Sequence, residues 1–351
     1  MDRIKSWLQN NNAALIVTPI NRRYFTGFES SLGYLFVTNK KAYLLVDGRY
    51  YIDAKQKVKN AEVVLLTKAS EQLLSLVKKE GISTVFTENT LTVAEFERIK
   101  GFLFGIDILA EEKFTEYIND LRSVKTNEEI DSIISAQRIA EKAFLEVLNF
   151  VKPGISEKRL ATELEYKMKV FGSERESFDT IVVSGVKSAI PHGVPDEKLI
   201  ENGEFITFDF GAVVNGYHSD MTRTVAVGFA TDKMQQVYET VLLAQKAAEQ
   251  VIKADVKCSE VDKAARDMIV NAGFGEYFTH STGHSVGLEI HETPSLSYLE
   301  TKTLKEGNVV TDEPGIYIEN EFGVRIEDML LVTKAGSKNL TCFEKSLIIV
   351  K

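Results

Sequence analysis

The first 110 residues alternate short apolar runs with amphipathic stretches. The runs ALIV, GYLFVT and KAYLLV predict strands, the last two as a hairpin, and helical periodicity predicts helices around 70–80 and 92–101. This alternation is typical of a small α/β domain. A strongly charged stretch follows from residue 111, and Thr126 stands before Glu128 and Glu129 as a helix N-cap would. We therefore predict two domains, residues 1–122 and 123–351.

The second part of the chain shows the same order of elements twice. Apolar residues with helical spacing run from Ile130 to Leu148, and a further helix is predicted to end near residue 171. A second helix pair is predicted near 233–253 and 259–272. The predicted strands are TIVVSG, EFITFDFGAVV, YHSDMTRTVAV, NVVTDEP, GIYIEN and GVRIEDMLLVT. Two helices followed by acid-bearing strands thus occur twice, which predicts a pseudo-symmetric sheet with helices outside it.

Composition narrows the class of protein. With 44% hydrophobic and 26% charged residues the chain reads as an ordinary globular protein, and 351 residues favour two domains. The net charge of −9 gives no basic surface of the kind that binds nucleic acid. No apolar run is long enough for a signal core or a membrane span. Cys258 and Cys342 lack the spacing of a disulfide framework or a metal site, so we expect a cytoplasmic protein.

Two carboxylates are predicted to share one face of a strand pair. If Asn215-Gly216 forms a type I′ turn, Val214 pairs with Tyr217 and Asp209 lies opposite Thr222. Asp220 is then the diagonal neighbour of Asp209 on the same face. Such acids often lie at solvated strand ends, but FITFDF surrounds Asp209 with apolar residues. Buried carboxylates need a neutralising cation, so this pair indicates a metal site.

The second half supplies further candidate ligands. Glu313 in VVTDEPGIYI and Glu327 in VRIEDMLLV are again acids within apolar strand sequence. His284 lies in HSTGHSVGLEIHE, where Gly283 and Gly287 favour a loop or strand over a helix. A single histidine is more often structural, yet all five histidines fall between residues 192 and 291. Four carboxylates and a neutral imidazole carry a charge that two divalent ions would cancel. This ligand set favours Mn²⁺, with Co²⁺, Zn²⁺ or Fe²⁺ as substitutes.

Six motifs give the chain a family resemblance: ESFDTIVVSG, PHG at 191–193, DFGAVVNGYHSDMTRT, HSTGHSVGLEIHE, EPGIY and VRIED. Together they resemble the Xaa-Pro peptidases of the "pita-bread" metallopeptidase family M24, which includes aminopeptidases, prolidases and methionine aminopeptidases. The resemblance implies an α+β protein. A small creatinase-like, non-catalytic α/β domain (1–122) would precede a catalytic pita-bread domain (123–351), whose pseudo-two-fold antiparallel sheet is flanked by helices. It also implies a homodimer.

The resemblance assigns roles to individual residues. The implied metal ligands are Asp209, Asp220, His284, Glu313 and Glu327. Glu313 is also the implied general base, and Arg325 is the implied support of Asp209, beside Thr222. His192 and His291 are expected to contact substrate at the scissile bond, and His280 matches a substrate-side histidine. His218 has no assigned role, and Asp47 and Arg49 are expected to form a structural ion pair.

The expected function is metal-assisted hydrolysis of the N-terminal Xaa-Pro bond of peptides by a dinuclear aminopeptidase. Ser295 stands where dipeptide-specific relatives often have an arginine for the product carboxylate, which favours longer peptides. The alternative is an Xaa-Pro dipeptidase. Methionine aminopeptidase activity is less favoured because such enzymes generally lack so large an N-terminal domain. A metal-free relative that binds peptides or a metabolite such as creatine is the alternative outside enzymes. Asp312 departs from an apolar residue common in the family, and Ser285 from a common glycine.

Overall fold

The computed structural model describes all 351 residues, which form two compact units, 1–122 and 123–351. No helix in it has the length and apolar character needed to cross a membrane.

The first unit is built on a six-stranded sheet of order β4-β3-β2-β1-β5-β6. The strands are β1 Asn12–Ile16, β2 Gly33–Thr38, β3 Ala42–Val46, β4 Glu62–Leu65, β5 Thr84–Phe86 and β6 Asp107–Leu109. The helices are α1 Asp2–Trp7, α2 Pro19–Thr26, α3 Tyr51–Lys57, α4 Ala69–Glu80, α5 Val93–Phe102 and α6 Glu112–Ser123. Two apolar clusters pack on this α/β framework. The predicted strands, the β2–β3 hairpin and the helices α4 and α5 are confirmed.

The second unit contains the two predicted helix pairs. Its helices are α7 Asn127–Val147, α8 Glu157–Val170, α9 Asp232–Val251 and α10 Cys258–Asn271, with short 3₁₀ turns at Leu148–Phe150, Gly185–Ala189 and Gly275–Tyr277. Helix α7 begins as expected after Thr126, whose side chain accepts a hydrogen bond from the Glu129 amide. Helices α9 and α10 pack against each other and against strands of the second half through one large apolar cluster.

The strands of the second unit form two main sheets and two small hairpins. They are β7 Ile181–Ser184, β8 Phe205–Phe210, β9 Val213–Val214, β10 Tyr217–His218, β11 Met221–Val227, β12 Gly283–Ser285, β13 Glu292–Leu296, β14 Val309–Asp312, β15 Gly315–Ile318, β16 Phe322–Arg325, β17 Asp328–Val332, β18 Ser337–Asn339 and β19 Ile349–Val350. The sheets have the orders β19-β11-β8-β7 and β13-β12-β14-β17-β18, and the hairpins are β9–β10 and β15–β16. Nearly all pairs are antiparallel, as predicted, and β11–β19 is parallel.

The predicted register around Asn215-Gly216 is confirmed. Both residues have positive φ, 51° and 79°, as a type I′ turn requires. Val214 pairs with Tyr217, and Asp209 lies opposite Thr222.

The prediction of continuous strands through EFITFDFGAVV, YHSDMTRTVAV and GVRIEDMLLVT is wrong, and the strand predicted over NVVTDEP ends at Asp312, one residue before Glu313. The first of these strands is interrupted after Phe210, where Gly211 packs so closely on the facing backbone that a Cβ there would lie 1.9 Å from the Ser219 carbonyl oxygen. Asp220 falls in the matching gap between β10 and β11. Glu313 and Glu327 likewise lie in the gaps β14–β15 and β16–β17. Three of the four acids are therefore held where the sheets break, and only Asp209 lies within a strand.

Candidate active site

The second unit encloses a cavity of about 920 Å³. Nine of the ten residues that the sequence singled out for the site line it: His192, Asp209, Asp220, His280, His284, His291, Glu313, Arg325 and Glu327. The tenth, Thr222, is fully buried behind it. The fold thus brings together side chains that are up to 135 positions apart in the chain.

Backbone hydrogen bonds explain why the ligand candidates converge. The Glu327 amide donates to the Thr222 carbonyl at 3.2 Å, which joins the gap after β16 to strand β11 beside Asp220. The Glu313 amide donates to the Thr282 carbonyl at 2.8 Å, which holds the end of β14 beside the strand of His284. The first bond joins the two halves of the unit, and the second keeps Glu313 beside His284.

Ligand atoms from both halves lie within reach of one another. One ligand atom each from Asp220, His284 and Glu327 falls within a mutual distance of 4.8 Å. The His284 Nε2 atom lies 3.6 Å from Asp220 Oδ2 and 3.3 Å from Glu313 Oε1. Imidazole and carboxylate groups at such spacing can share bound cations.

The orientation of His284 suits metal binding. Its Nδ1 lies 3.1 Å from the Ser285 carbonyl oxygen, which can only accept, so Nδ1 carries the hydrogen. The Nε2 lone pair is then directed at the carboxylates. This is the arrangement in which an outer hydrogen bond fixes the tautomer of a metal-binding histidine.

Arg325 and Thr222 hold two of the carboxylates. The Arg325 Nη2 atom donates to Asp209 Oδ2 at 2.5 Å, and its Nε donates to Thr222 Oγ1 at 3.0 Å. The Thr222 hydroxyl in turn donates to Glu327 Oε2 at 2.7 Å. One oxygen of each carboxylate, Asp209 Oδ2 and Glu327 Oε2, is thus hydrogen-bonded, while the other oxygens, Asp209 Oδ1 and Glu327 Oε1, have no hydrogen-bond partner.

Two residues that the sequence reasoning missed complete this support. Thr311 Oγ1 donates to Glu313 Oε1 at 3.0 Å and accepts from the His284 amide at 2.9 Å. The Tyr317 hydroxyl accepts from Arg325 Nη1 at 2.7 Å and lies 2.9 Å from His280 Nε2. The one signal for Tyr317 was a phenol within the otherwise aliphatic strand GIYI, since a buried phenol needs a polar partner.

The surroundings of His280 and His291 favour the uncharged imidazole. Burial and the nearby Arg325 lower the pKa of His280 to about 4. Burial, then the neighbouring His284, also lowers the pKa of His291, whose ring centroid lies 4.3 Å from that of His284. His280 Nδ1 faces the Ser281 carbonyl at 2.8 Å, so its Nε2 accepts from Tyr317. His192 lines the cavity on the PHG loop.

Burial raises the pKa values of three of the clustered carboxyl groups, those of Asp220, Glu313 and Glu327. Burial raises the pKa of Asp220 well above its usual value, and the charges of Asp209 and Glu313 raise it further. Burial and the Asp220 charge raise the pKa of Glu327 in the same way. Burial raises the pKa of Glu313 to about 7, against the opposing effect of Arg325. In the absence of cations this site therefore favours the uncharged acids.

Divalent cations fit these side chains. Asp209 Oδ1 and Glu327 Oε1 are buried polar atoms with no hydrogen-bond partner, which is costly unless something cationic binds there. The donors are carboxylate oxygens with one imidazole nitrogen, a set that hard and borderline ions prefer. The same ions would remove the repulsion that raises the carboxyl pKa values.

Other residues that drew attention in the sequence have structural positions. His218 is buried outside the cavity and its Nδ1 lies 2.8 Å from Ser177 Oγ. Asp47 and Arg49 form an exposed ion pair at 2.7 Å, as expected. Ser295 lies opposite His284 on β13 and lines the cavity. Asp312 is fully buried, and neither of its carboxyl oxygens has a hydrogen-bond partner.

Comparison with known proteins gives consistent matches over the whole chain. Residues 131–334 match the model of metallopeptidase family M24, and residues 2–124 match the creatinase/prolidase N-terminal domain. An Xaa-Pro dipeptidase of Pyrococcus furiosus is 39% identical, over 99% of both chains. The solved structure of an Xaa-Pro dipeptidase from Bacillus anthracis is 40% identical with a TM-score of 0.92, covering 96% of this chain and 94% of that one. An X-Pro aminopeptidase structure from Thermotoga maritima is 35% identical with a TM-score of 0.94, covering 99% and 100%.

Proposed function

Since the chain belongs to metallopeptidase family M24 and is a metallo-exopeptidase, we propose that it is an Xaa-Pro dipeptidase. In this proposal it hydrolyses the bond between an N-terminal residue and a following proline. Two divalent ions, Mn²⁺ by preference, are held by Asp209, Asp220, His284, Glu313 and Glu327. Residues 123–351 carry out the catalysis, and residues 1–122 form the non-catalytic creatinase-like domain.

One observation carries the proposal. The five proposed ligands line a single cavity, and two of their buried oxygens have no partner inside the protein. Buried carboxylates that serve only packing are normally paired or hydrogen-bonded. Arg325 and Thr222 hydrogen-bond one oxygen of Asp209 and one of Glu327, which leaves the second oxygen of each carboxylate free to bind a cation.

The side chains divide the work of hydrolysis. Bound divalent ions would supply Lewis acidity toward the scissile carbonyl and would make a nearby water more acidic. Glu313, held by Thr311, accepts the proton of the attacking water and passes it to the departing proline nitrogen. The imidazoles of His192 and His291 donate hydrogen bonds to the substrate carbonyl as negative charge develops.

The named relatives favour the dipeptidase over the aminopeptidase that the sequence put first. Xaa-Pro dipeptidases of Pyrococcus furiosus and Bacillus anthracis align over almost their full length at 39% and 40% identity. Ser295 argues the other way, because it leaves the wall beside His284 without a cation for a free proline carboxylate. The X-Pro aminopeptidase of Thermotoga maritima supports this second candidate function.

We extend the proposal to the setting of the enzyme. Cys258 and Cys342 are both free thiols, which suits a reducing cytoplasm. The homodimer that the family resemblance implies is retained as part of the proposal. Proline-containing dipeptides are the proposed substrates.

The test compares alanyl-proline with alanyl-prolyl-alanine on the Mn²⁺-loaded protein. A dipeptidase cleaves the first and leaves the second intact. Cleavage of the tripeptide alone would transfer the assignment to the aminopeptidase. Failure to cleave either, with metal bound and the fold retained, would remove Xaa-Pro hydrolysis altogether.

A further inference from the structure

One wall of the cavity carries carboxylates that the proposed metal site does not use. Seven carboxylates line the cavity and four of them are proposed ligands, which leaves three. Glu165 lies on α8, and Glu176 and Asp179 lie in the segment between α8 and β7. These three residues form what we call the acidic wall.

The backbone holds the acidic wall in place. Glu176 forms a bridge with Ala212, and the Ser177 amide donates to the Gly211 carbonyl at 2.9 Å. The Ser177 hydroxyl also lies 2.8 Å from Nδ1 of the buried His218. The segment is therefore fixed next to the interrupted strand that carries Asp209.

The acidic wall has no cation of its own. Arg325 is the only lysine or arginine that lines the cavity, and its guanidinium is bound to Asp209. Arg175, next to Glu176 in the chain, contacts Glu174. None of the three wall carboxylates forms an ion pair, Glu176 and Asp179 are exposed, and Lys169 acts on Glu165 only at a distance, so a cation from outside the chain can reach them.

A buried hydroxyl in the same wall also lacks a well-formed hydrogen bond. Thr180 is 4% exposed and lines the cavity, and its Oγ1 atom forms no hydrogen bond of good geometry, although it acts on the nearby Glu165 carboxylate. A buried hydroxyl without a partner costs free energy that a bound donor would recover. Burial raises the pKa of Glu165, the nearby Thr180 hydroxyl lowers it, the charges of Glu176 and Asp179 raise it, and Lys169 lowers it. An ammonium or guanidinium group would satisfy the hydroxyl and the carboxylates together.

We propose that the acidic wall binds the cationic side chain of the first residue of the substrate, so that lysyl-proline and arginyl-proline are preferred. This inference rests on the proposed Xaa-Pro hydrolysis. The proline ring carries no charge, and the terminal groups are the same in every Xaa-Pro dipeptide. The side chain of the first residue is therefore the one group whose charge can vary between substrates.

The apolar residues of the same wall fit a long aliphatic stem. Phe178 and Ile181 line the cavity beside the carboxylates. Lysine and arginine characteristically pack their methylenes on apolar surface while the charged end reaches polar groups. The alternation of Phe178, Asp179 and Thr180 thus offers both kinds of contact within one short segment.

The experiment compares lysyl-proline with norleucyl-proline, which has the same stem without the ammonium group. Both are assayed on the Mn²⁺-loaded wild type, on Glu165→Gln, Glu176→Gln and Asp179→Asn, and on the triple variant. Glu163→Gln is the matched control, since Glu163 lies on the same helix, pairs with Arg159 and does not line the cavity. The wild type is expected to prefer lysyl-proline by about 2- to 5-fold in kcat/KM.

The triple variant should bring this ratio close to one, mainly through a higher KM for lysyl-proline, and the Glu163→Gln control should keep it. Added salt should also reduce the ratio, because part of the wall is exposed to solvent. A ratio near one in the wild type, or an unchanged ratio in the triple variant, would overturn the inference. Equal losses on both dipeptides would overturn it too, since the wall would then bind the common amino group.

Failure of the proposed function gives a different result, namely no cleavage of either dipeptide. If neither dipeptide is cleaved, calorimetric binding of the two dipeptides decides the inference without catalysis. Tighter binding of lysyl-proline that is lost in the triple variant supports the acidic wall, and equal affinities refute it.

Discussion

Replacing Thr222 by valine tests how the carboxylates of the metal site are held. Valine has nearly the same shape as threonine, so the substitution at this fully buried position leaves no cavity. The hydroxyl is lost, however, and with it the donor to Glu327 Oε2 at 2.7 Å and the acceptor for Arg325 Nε at 3.0 Å.

The size of the effect follows from these contacts. A hydrogen bond to a charged group contributes about 1.5–3 kcal/mol. If the whole of this free energy is lost from Mn²⁺ binding, loss of the bond to Glu327 alone weakens the Mn²⁺ affinity roughly 10- to 150-fold. Outer partners of metal ligands typically change metal affinity or activity by about 10- to 100-fold, so the two estimates agree.

The assay is calorimetric titration of the metal-free protein with Mn²⁺, together with kcat/KM on an Xaa-Pro dipeptide. Thr207→Val is the control, because Thr207 is also buried and bonds only to the Thr224 hydroxyl, at 3.2 Å. Thr222→Val should weaken Mn²⁺ binding about 10- to 100-fold, and Thr207→Val should leave it within a few-fold of wild type. Equal Mn²⁺ affinities for Thr222→Val and wild type would refute the assigned role of the hydroxyl.

Three further predictions concern the same region. His291→Ala should lower turnover by about 10²–10³-fold while metal content stays constant, because the imidazole acts on the substrate carbonyl; unchanged turnover would contradict this. Asp312→Val should raise the free energy of unfolding by about 1–3 kcal/mol near neutral pH, since it removes a buried carboxyl whose two oxygens have no partner; a lower melting temperature would count against it. Burial raises the pKa of that carboxyl, so the gain should shrink as the pH falls and the acid takes up its proton. The metal-free protein should lose stability as the pH rises from the usual carboxyl range through about 7, because the pKa of Glu313 is raised to about 7 and those of Asp220 and Glu327 are raised as well. Added Mn²⁺ should reverse this loss and release protons. A melting temperature of the metal-free protein that rises over this pH range would contradict the prediction.

Local signals made much of the fold predictable. The Thr126 cap, the apolar stripe of α7 and the Asn215-Gly216 turn each act through neighbouring residues, and all three are confirmed. The turn fixed the register that sets Asp209 opposite Thr222. Such features need no knowledge of the rest of the chain.

The breaks in the strands could not be predicted in the same way. Gly211, where its strand breaks, packs against the Ser219 carbonyl, a contact made only after the chain folds back on itself. The gap that holds Glu327 depends on its amide bonding to the Thr222 carbonyl, 105 positions earlier. An alternating apolar pattern reads the same with or without such gaps, so the sequence suggested continuous strands.

Thr311 and Tyr317, which hydrogen-bond the site residues, could not be predicted from the sequence for a similar reason. Thr311 and Tyr317 matter through contacts with His284, Glu313 and Arg325 that only the folded chain creates. The acidic wall likewise joins Glu165 of α8 to a segment that follows the helix, and it becomes visible only as part of the cavity.

The most direct test of the central claim is a crystal structure of the Mn²⁺-soaked protein with anomalous scattering data at the manganese edge. The account predicts two anomalous peaks, both within coordination distance of carboxylate oxygens or the imidazole nitrogen of Asp209, Asp220, His284, Glu313 and Glu327. Peaks elsewhere, or an empty cavity in a protein that still cleaves Xaa-Pro dipeptides, would contradict it.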